Sequence, residues 1–326
     1  MRIAVTGSIA TDYLMVFPGK FTDQLVADQL EQVSLSFLID RLDVRRGGVA
    51  GNISYGLGSL GLRPVLVGAV GADFDEYRAW LDQHGVDTRA VHVSDTQHTA
   101  RFLCTTDSTN NQIASFYSGA MSETRNIQLT SVIDQAGALD LVLIGASDPE
   151  GMIQHTEQCR ELGLPFAADF SQQIARMEAT EVAKLVPGAA YLFTNEYEAG
   201  LLLEKTGWTR DDVLAQVGTW ITTLGAAGVR YETRDADPVT VPSVPAKQEV
   251  DPTGIGDAFR VGFFAAQSWK LSIERSLQFG CLLATTVLET LGPQEYRIDA
   301  DAFVRRLADA YGEESGAELK PFLTTG

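Results

Sequence analysis

Cysteine is scarce in this 326-residue chain: Cys104, Cys159 and Cys281 are far apart and odd in number. That pattern excludes a disulfide framework and any Cys-x-x-Cys metal site. Histidine is nearly as rare. His84, His92, His98 and His155 show no His-Glu-x-x-His or paired-ligand spacing, which argues against a zinc enzyme. No run approaches the ~18 consecutive apolar residues of a membrane helix. Residues 1–7 read as a short strand and a turn, without the apolar run and cleavage site of a signal peptide, so a cytoplasmic location is expected. Positive charge is also short: 25 Lys and Arg against 43 Asp and Glu leave a formal charge of −18. Such a surface repels phosphate backbones, and the pair Arg45-Arg46 makes no basic stripe, so neither nucleic acid nor membrane is an expected partner. A polyanionic small ligand would have to be held by local dipoles and a metal cation.

What is present is a globular composition, 45% hydrophobic, with short β-branched runs alternating with amphipathic stretches. Strands are expected at 3–6, 64–70, 140–144, 164–169, 190–194 and 220–224, with helices at 49–60, 73–84, 149–162, 196–205 and 210–217. Helices at 254–267, 272–291 and 300–311 follow. The alternation predicts an α/β fold with a largely parallel central sheet flanked by helices. Three segments break it: 33–39 alternates in the manner of a strand, and 98–106 and 112–117 are strand-like on either side of the polar turn Asp107-Ser108-Thr109-Asn110-Asn111. They predict a small β-sheet projecting from the main domain; an extra hairpin at the sheet edge fits the same pattern. The expected organisation is one domain, 1–326, with lid segments at about 10–45 and 95–122 inserted in the α/β core. Repeats and low-complexity linkers are absent, and the last dozen residues are expected to fray.

The sharpest chemical signal is Asp251-Pro252-Thr253-Gly254-Ile255-Gly256-Asp257-Ala258-Phe259-Arg260-Val261-Gly262. Turn formers lead into apolar residues at helical spacing. Gly254 and Gly256 let backbone N–H groups face outward at the helix start, where the dipole favours an anion. Asp257 then stands where a carboxylate can take the proton of a hydroxyl attacking a phosphorus. An ordinary helix start with an acid in its first turn has the same local look. A second glycine-rich segment, Gly47-Gly48-Val49-Ala50-Gly51-Asn52, allows a ligand close to the backbone, and the Asn52 amide can both donate and accept hydrogen bonds.

In order and separation these two segments resemble the two signatures of the PfkB, or ribokinase-like, carbohydrate kinases, and the resemblance covers essentially the whole chain. It implies a ribokinase-like fold with a small β-sheet lid, ATP as co-substrate and Mg²⁺ as cofactor. It also implies Asp257 as the base, with Gly254 and Gly256 forming the anion hole. Ile255 departs from the small residue found in many members, a change that keeps the backbone N–H. Gly7-Ser8-Ile9-Ala10-Thr11-Asp12 is similar to the family's turn after the first strand, which gives Ser8 and Asp12 to the substrate together with Gly48 and Asn52. Asn195-Glu196-Tyr197-Glu198 resembles the family's Asn-x-x-Glu motif, implying Asn195 in the nucleotide site and Glu198 on Mg²⁺ through water. Thr223-Leu224-Gly225-Ala226-Ala227-Gly228 resembles its nucleotide-cradling turn, implying ATP contacts from Thr223, Gly225, Gly228 and Gly256.

Within the family the chain is similar to the bacterial, actinobacterial-type adenosine kinases, notably over Ala114-Ser115-Phe116-Tyr117-Ser118-Gly119-Ala120-Met121-Ser122-Glu123. Phe102 and Phe116, on the two paired lid strands, offer flat apolar faces to a purine, although a Phe in an alternating strand also serves a core. Ser36 on the 33–39 strand can face the base edge. Gln172 and Gln173 resemble pocket-lining residues of those kinases, and equally suit a polar loop. The resemblance implies transfer from Mg·ATP to the adenosine 5′-hydroxyl, a homodimer paired through lid strands, and K⁺ activation near Asp251 and Thr253. A ribokinase or other sugar kinase of the same family is the nearest rival, and a non-catalytic nucleoside-binding protein on this scaffold is the rival of another class.

Overall fold

The computed structural model describes residues 1–24 and 36–323. In chain order the described strands are β1 (Ile3–Thr6), β2 (Ala10–Val16), β3 (Arg41–Gly47), β4 (Val65–Val70), β5 (Val91–Val93), β6 (Ala100–Thr106), β7 (Gln112–Tyr117), β8 (Leu141–Ile144), β9 (Phe166–Asp169), β10 (Tyr191–Asn195), β11 (Thr219–Thr223), β12 (Val229–Thr233) and β13 (Ala236–Val241). Nine form one sheet in the order β13-β12-β11-β10-β9-β8-β1-β4-β5, and the other four form a separate sheet in the order β3-β2-β6-β7. From β11 to β5 every pairing is parallel, and the two antiparallel pairings, β11 with β12 and β12 with β13, lie at one edge.

Residues of β4, β8 and β9 are buried throughout, as strands covered on both faces must be. One face packs against helices Val49–Ser59, Ile255–Ser268, Ile273–Leu288 and Ala300–Tyr311 through Ile53, Leu57, Phe259, Phe263, Leu282 and Phe303. The other packs against Leu129–Ala136, Pro149–Leu162, Ala179–Leu185 and Glu196–Thr206 through Leu129, Met152, Leu185 and Leu202. The expected α/β alternation is therefore what forms, with ends shifted by a few residues.

Two sequence expectations need correction. A strand over 33–39 does not form in its described part: residues 36–39 are irregular, and 33–35 lie outside the described residues. Phe37 instead packs on Phe17 and Phe21, and the strand that pairs with β2 is β3, a few residues later. The chain end does not fray from the last dozen residues onward, because Glu313–Leu323 is a helix that buries Leu319 and Leu323.

Candidate active site

Strand β1 is flanked by β4 on one side and β8 on the other, so successive crossovers leave it in opposite directions. In doubly wound sheets the crevice at the carboxyl end of such a strand is where ligands bind. A cavity of about 460 Å³ opens there. Ser8 and Ala146 line it from the ends of β1 and β8, Gly48 and Asn52 from the start of helix Val49–Ser59, and Gly254, Gly256 and Asp257 from the start of helix Ile255–Ser268.

The small sheet forms the opposite wall. Arg45, Asp12, Phe102 and Phe116 lie directly across from one another on β3, β2, β6 and β7. Directly opposed residues share a face of a sheet, and Asp12, Phe102 and Phe116 all line the cavity. Gly47 makes room for Asp12, since a Cβ there would lie 2.6 Å from the Asp12 carboxylate. Burial, reinforced by the negative charge of Asp251, pushes the Asp12 carboxyl up to about 6.

At the floor, Gly254 caps helix Ile255–Ser268 in the left-handed region (φ 78°), and a Cβ there would lie 2.5 Å from the Pro293 Cβ. The N–H groups of Gly256 and Asp257 find no acceptor among the described residues, which leaves an anion-binding concavity at the positive end of the helix. Asp257 accepts a 2.8 Å hydrogen bond from Asn52 Nδ2. Burial pushes the Asp257 carboxyl up to about 7; the charges of Asp169 and Asp12 act in the same direction, while the Asn52 N–H and the Arg260 guanidinium oppose it. A carboxylate tuned to that range suits general-base work near neutrality.

Sequence reasoning gave no role to Arg260. Its guanidinium grips Asp169 at the end of β9 through bonds of 2.9 and 3.0 Å, donates to the Gly256 carbonyl at 3.1 Å, and lies over the Phe193 ring. Arg260 is 4% exposed and Asp169 1%. Such a pair holds the glycine turn to the sheet. The pairing spans 91 residues, so spacing carried no sign of it. Met121 and Arg176 also line the cavity without having been singled out.

Of the expected nucleotide-side residues Gly256 lines this cavity, while Asn195, Glu198, Thr223, Gly225 and Gly228 lie outside it. Asn195 ends β10 and pairs in register with Thr223 at the end of β11. Asn195 and Glu198 cap each other reciprocally, with two bonds of 2.8 Å. Burial, with the charge of Asp169, raises the Glu198 carboxyl, and Arg260 opposes the shift. Gly225 and Gly228 flank a short turn whose Ala226 carbonyl accepts from Ser243 at 2.6 Å. Gln172 and Gln173 do line the cavity, with Gln173 donating to the Ser147 carbonyl at 2.7 Å. Ser36 is exposed and outside it. No group of three or more His, Cys, Asp or Glu suited to a metal occurs among the described residues, and no helix there is long and apolar enough to cross a membrane.

Comparison with known proteins agrees with this architecture. The model of the pfkB family carbohydrate kinases matches residues 12–300. A nucleoside kinase of Methanothermobacter thermautotrophicus is 27% identical over 306 residues, 93% of this chain and 97% of the relative. The structure of Burkholderia thailandensis nucleoside kinase in complex with inosine superposes with a TM-score of 0.82 at 32% identity, covering 95% of this chain and 98% of that one. Adenosine kinase 1 of Arabidopsis thaliana is 31% identical over 147 residues, 40% of each chain. With its fold, its glycine-flanked helix start and its family match across most of its length, the chain belongs to the pfkB family of carbohydrate kinases and is a phosphotransferase with an alcohol group as acceptor.

Proposed function

We propose that this kinase transfers the γ-phosphate of Mg·ATP to the 5′-hydroxyl of a purine nucleoside, with adenosine as the preferred acceptor. One observation carries the reading: a cavity with a carboxylate of raised pKa on its floor and two phenylalanine rings on its facing wall. A bare sugar has no flat face for Phe102 and Phe116, whereas a purine does, and stacking of this kind contributes about 1–3 kcal/mol per base. The full-length likeness to nucleoside kinases and the partial likeness to an adenosine kinase point the same way.

In this reading Asp12, Gly48 and Asn52 hold the ribose, while Ser8, Gln172 and Gln173 border the base. Asp257 accepts the hydroxyl proton as the oxygen attacks in line. The free amides at Gly256 and Asp257 stabilise the charge that gathers on the transferring phosphoryl group. Mg²⁺ neutralises phosphate charge when bound. Such an ion keeps several waters and is held largely by substrate phosphates, with Glu198 taking one of those waters through Oε1 while its Oε2 accepts from Asn195 N in the helix cap. Asn195, Thr223, Gly225 and Gly228 form the nucleotide edge. Closure of the small sheet excludes water from the reaction.

A homodimer joined through that sheet is part of the proposal. Its outward face exposes Leu42, Val44 and Ile113, and covering them in a pair of chains removes an exposed apolar face. A light-scattering mass equal to one chain at working concentration overturns it.

The function is tested by coupled ADP release with Mg·ATP and adenosine, guanosine, inosine, ribose or fructose 6-phosphate. Turnover with adenosine well above the rest is expected. Turnover confined to the sugars overturns the nucleoside reading, and a folded protein silent with all five moves the non-catalytic binding role to the front.

A further inference from the structure

Behind the candidate base lies a buried chain of side-chain amides, and its polarity follows from two groups that have no choice. Gln294 is 2% exposed and stands 242 residues from Asn52 in sequence. Its Oε1 accepts from the Trp80 indole at 3.2 Å. An indole N–H can only donate, so the oxygen of Gln294 must face Trp80 and its NH₂ must face the other way. That NH₂ reaches Asn52 Oδ1 at 2.9 Å and the Tyr77 hydroxyl. Tyr77 spends its own hydrogen on the Gly47 carbonyl at 3.0 Å, and a carbonyl can only accept. The Tyr77 oxygen is therefore left as the acceptor for Gln294. With both ends determined, Asn52 has to offer its oxygen to Gln294 and its NH₂ to Asp257, where the bond is 2.8 Å.

We propose that Gln294 is the positioning residue that sets the amide orientation of Asn52, and thereby presents an N–H rather than a carbonyl oxygen to the Asp257 carboxylate. The consequence is chemical. A donor at that place favours the ionised base, and a carbonyl oxygen there would favour the protonated one. The other charges facing Asp257 come from Asp12 on β2, Asp169 on β9 and Arg260 on its own helix, with the buried hydroxyls of Tyr77 and Tyr296 nearby. None of these changes when the Asn52 amide turns, so the amide is a separable control on the base. Gln294 touches no reacting atom; it acts through Asn52. The inference rests on the reading of Asp257 as the base of a kinase.

The decisive variant is Gln294→Glu, which keeps size and shape but adds a charge, so it is made both in wild type and in an Asn52→Ala background. A shift carried by the amide is lost without Asn52, whereas a shift of equal size in both comes from the added charge and overturns the proposal. The substitution keeps the acceptor for Trp80 and replaces the NH₂ by a second oxygen. Asn52 is then drawn to turn its NH₂ toward the new carboxylate and its oxygen toward Asp257. Two readouts are needed on folded protein with wild-type circular dichroism. In a ¹³C-carboxyl NMR titration Asp257 is expected to titrate about one pH unit higher than in wild type. In pH profiles of kcat/KM with adenosine the acidic limb moves up by the same amount, and activity recovers toward the wild-type plateau at high pH. Gln294→Met, which removes both polar atoms, should shift the limb less, because Asn52 is then released rather than reversed. An unshifted Asp257 titration in Gln294→Glu overturns the proposal, as does a uniform drop in rate at every pH. Failure of the kinase reading shows itself separately, as wild-type protein that releases no ADP with any nucleoside while the NMR titration still responds to the substitution.

Discussion

Strand β8 of the large sheet has no exposed residue, and strand β7 of the small sheet has no buried one. β8 reads Leu-Val-Leu-Ile and β7 Gln-Ile-Ala-Ser-Phe-Tyr, and the two do different work. β8 is clamped between two helical layers, so its register and height are over-determined by the core. β7 is an edge strand held through β6, and β6 is anchored at its base by Asp73, which accepts from Thr99 N at 2.9 Å, Thr99 Oγ1 at 2.7 Å and Arg101 Nη2 at 2.7 Å. Against partial burial, which pushes the other way, those bonds hold the Asp73 carboxyl at about 2. The anchor therefore stays charged at any working pH, while the wall above it has little core to fix it. Asp257 belongs to the clamped part and Phe116 to the loosely held part. The difference assigns chemistry to one and affinity to the other.

Asp257→Asn makes the most severe break in that division. The amide keeps an oxygen for Asn52 but cannot take a proton, so kcat is expected to fall by about 10²–10⁴, while adenosine binding measured by calorimetry changes less than about threefold. Retained turnover sinks the assignment of the base. Loss of binding to the same degree as turnover would place Asp257 among the ligand-holding groups instead.

Phe116→Ala sharpens the division from the other side. The ring is 42% exposed in the absence of ligand, so little folding stability is at stake, yet it faces Phe102 across the cavity wall. Loss of one stacking partner worth about 1–3 kcal/mol corresponds to a KM for adenosine raised about 5- to 150-fold, with kcat within about threefold. If kcat falls and KM holds, closure of the small sheet is part of the chemical step, and the separation proposed here fails.

The same contrast explains what could be read from sequence. Buried parallel strands are short continuous apolar runs, and β1, β8 and β9 were legible for that reason. The exposed sheet was legible only in part. The alternating segment at 33–39 looked like a strand, while the strand beside β2 is Arg41-Leu42-Asp43-Val44-Arg45-Arg46-Gly47, whose four charged residues mask its alternation. The terminal helix Glu313–Leu323 was hidden by Gly316 and Pro321, residues of poor helix propensity, and is held by the packing of Leu319 and Leu323. In the site, the glycines and Asp257 stood out because that residue chemistry is needed at a helix start. Arg260 with Asp169, and Gln294 with Asn52, did not. The pairs are brought together only by the folded chain, and Arg260, Asp169 and Gln294, unlike Asn52, are each ordinary in their local sequence.

The smallest expected effect is on stability, and its sign separates a tuned base from a structural acid. The Asp257 carboxyl lies at about 7 in the folded protein against an ordinary value of 3.8. Between those values the folded chain holds a proton that the unfolded chain releases, so stability is lost as pH rises from about 4 to about 7, and above that the loss is complete. Asp257→Asn has no such proton to lose. Its melting temperature should therefore exceed that of wild type at pH 8, by about 2 °C or more, and the gap should narrow as pH falls toward 5. A gap of the opposite sign would mean that the ionised carboxylate stabilises the fold, as a partner of Arg260 would. In that case Asp257 belongs with Asp169 in the clamped framework, and the proton of the acceptor hydroxyl must go elsewhere.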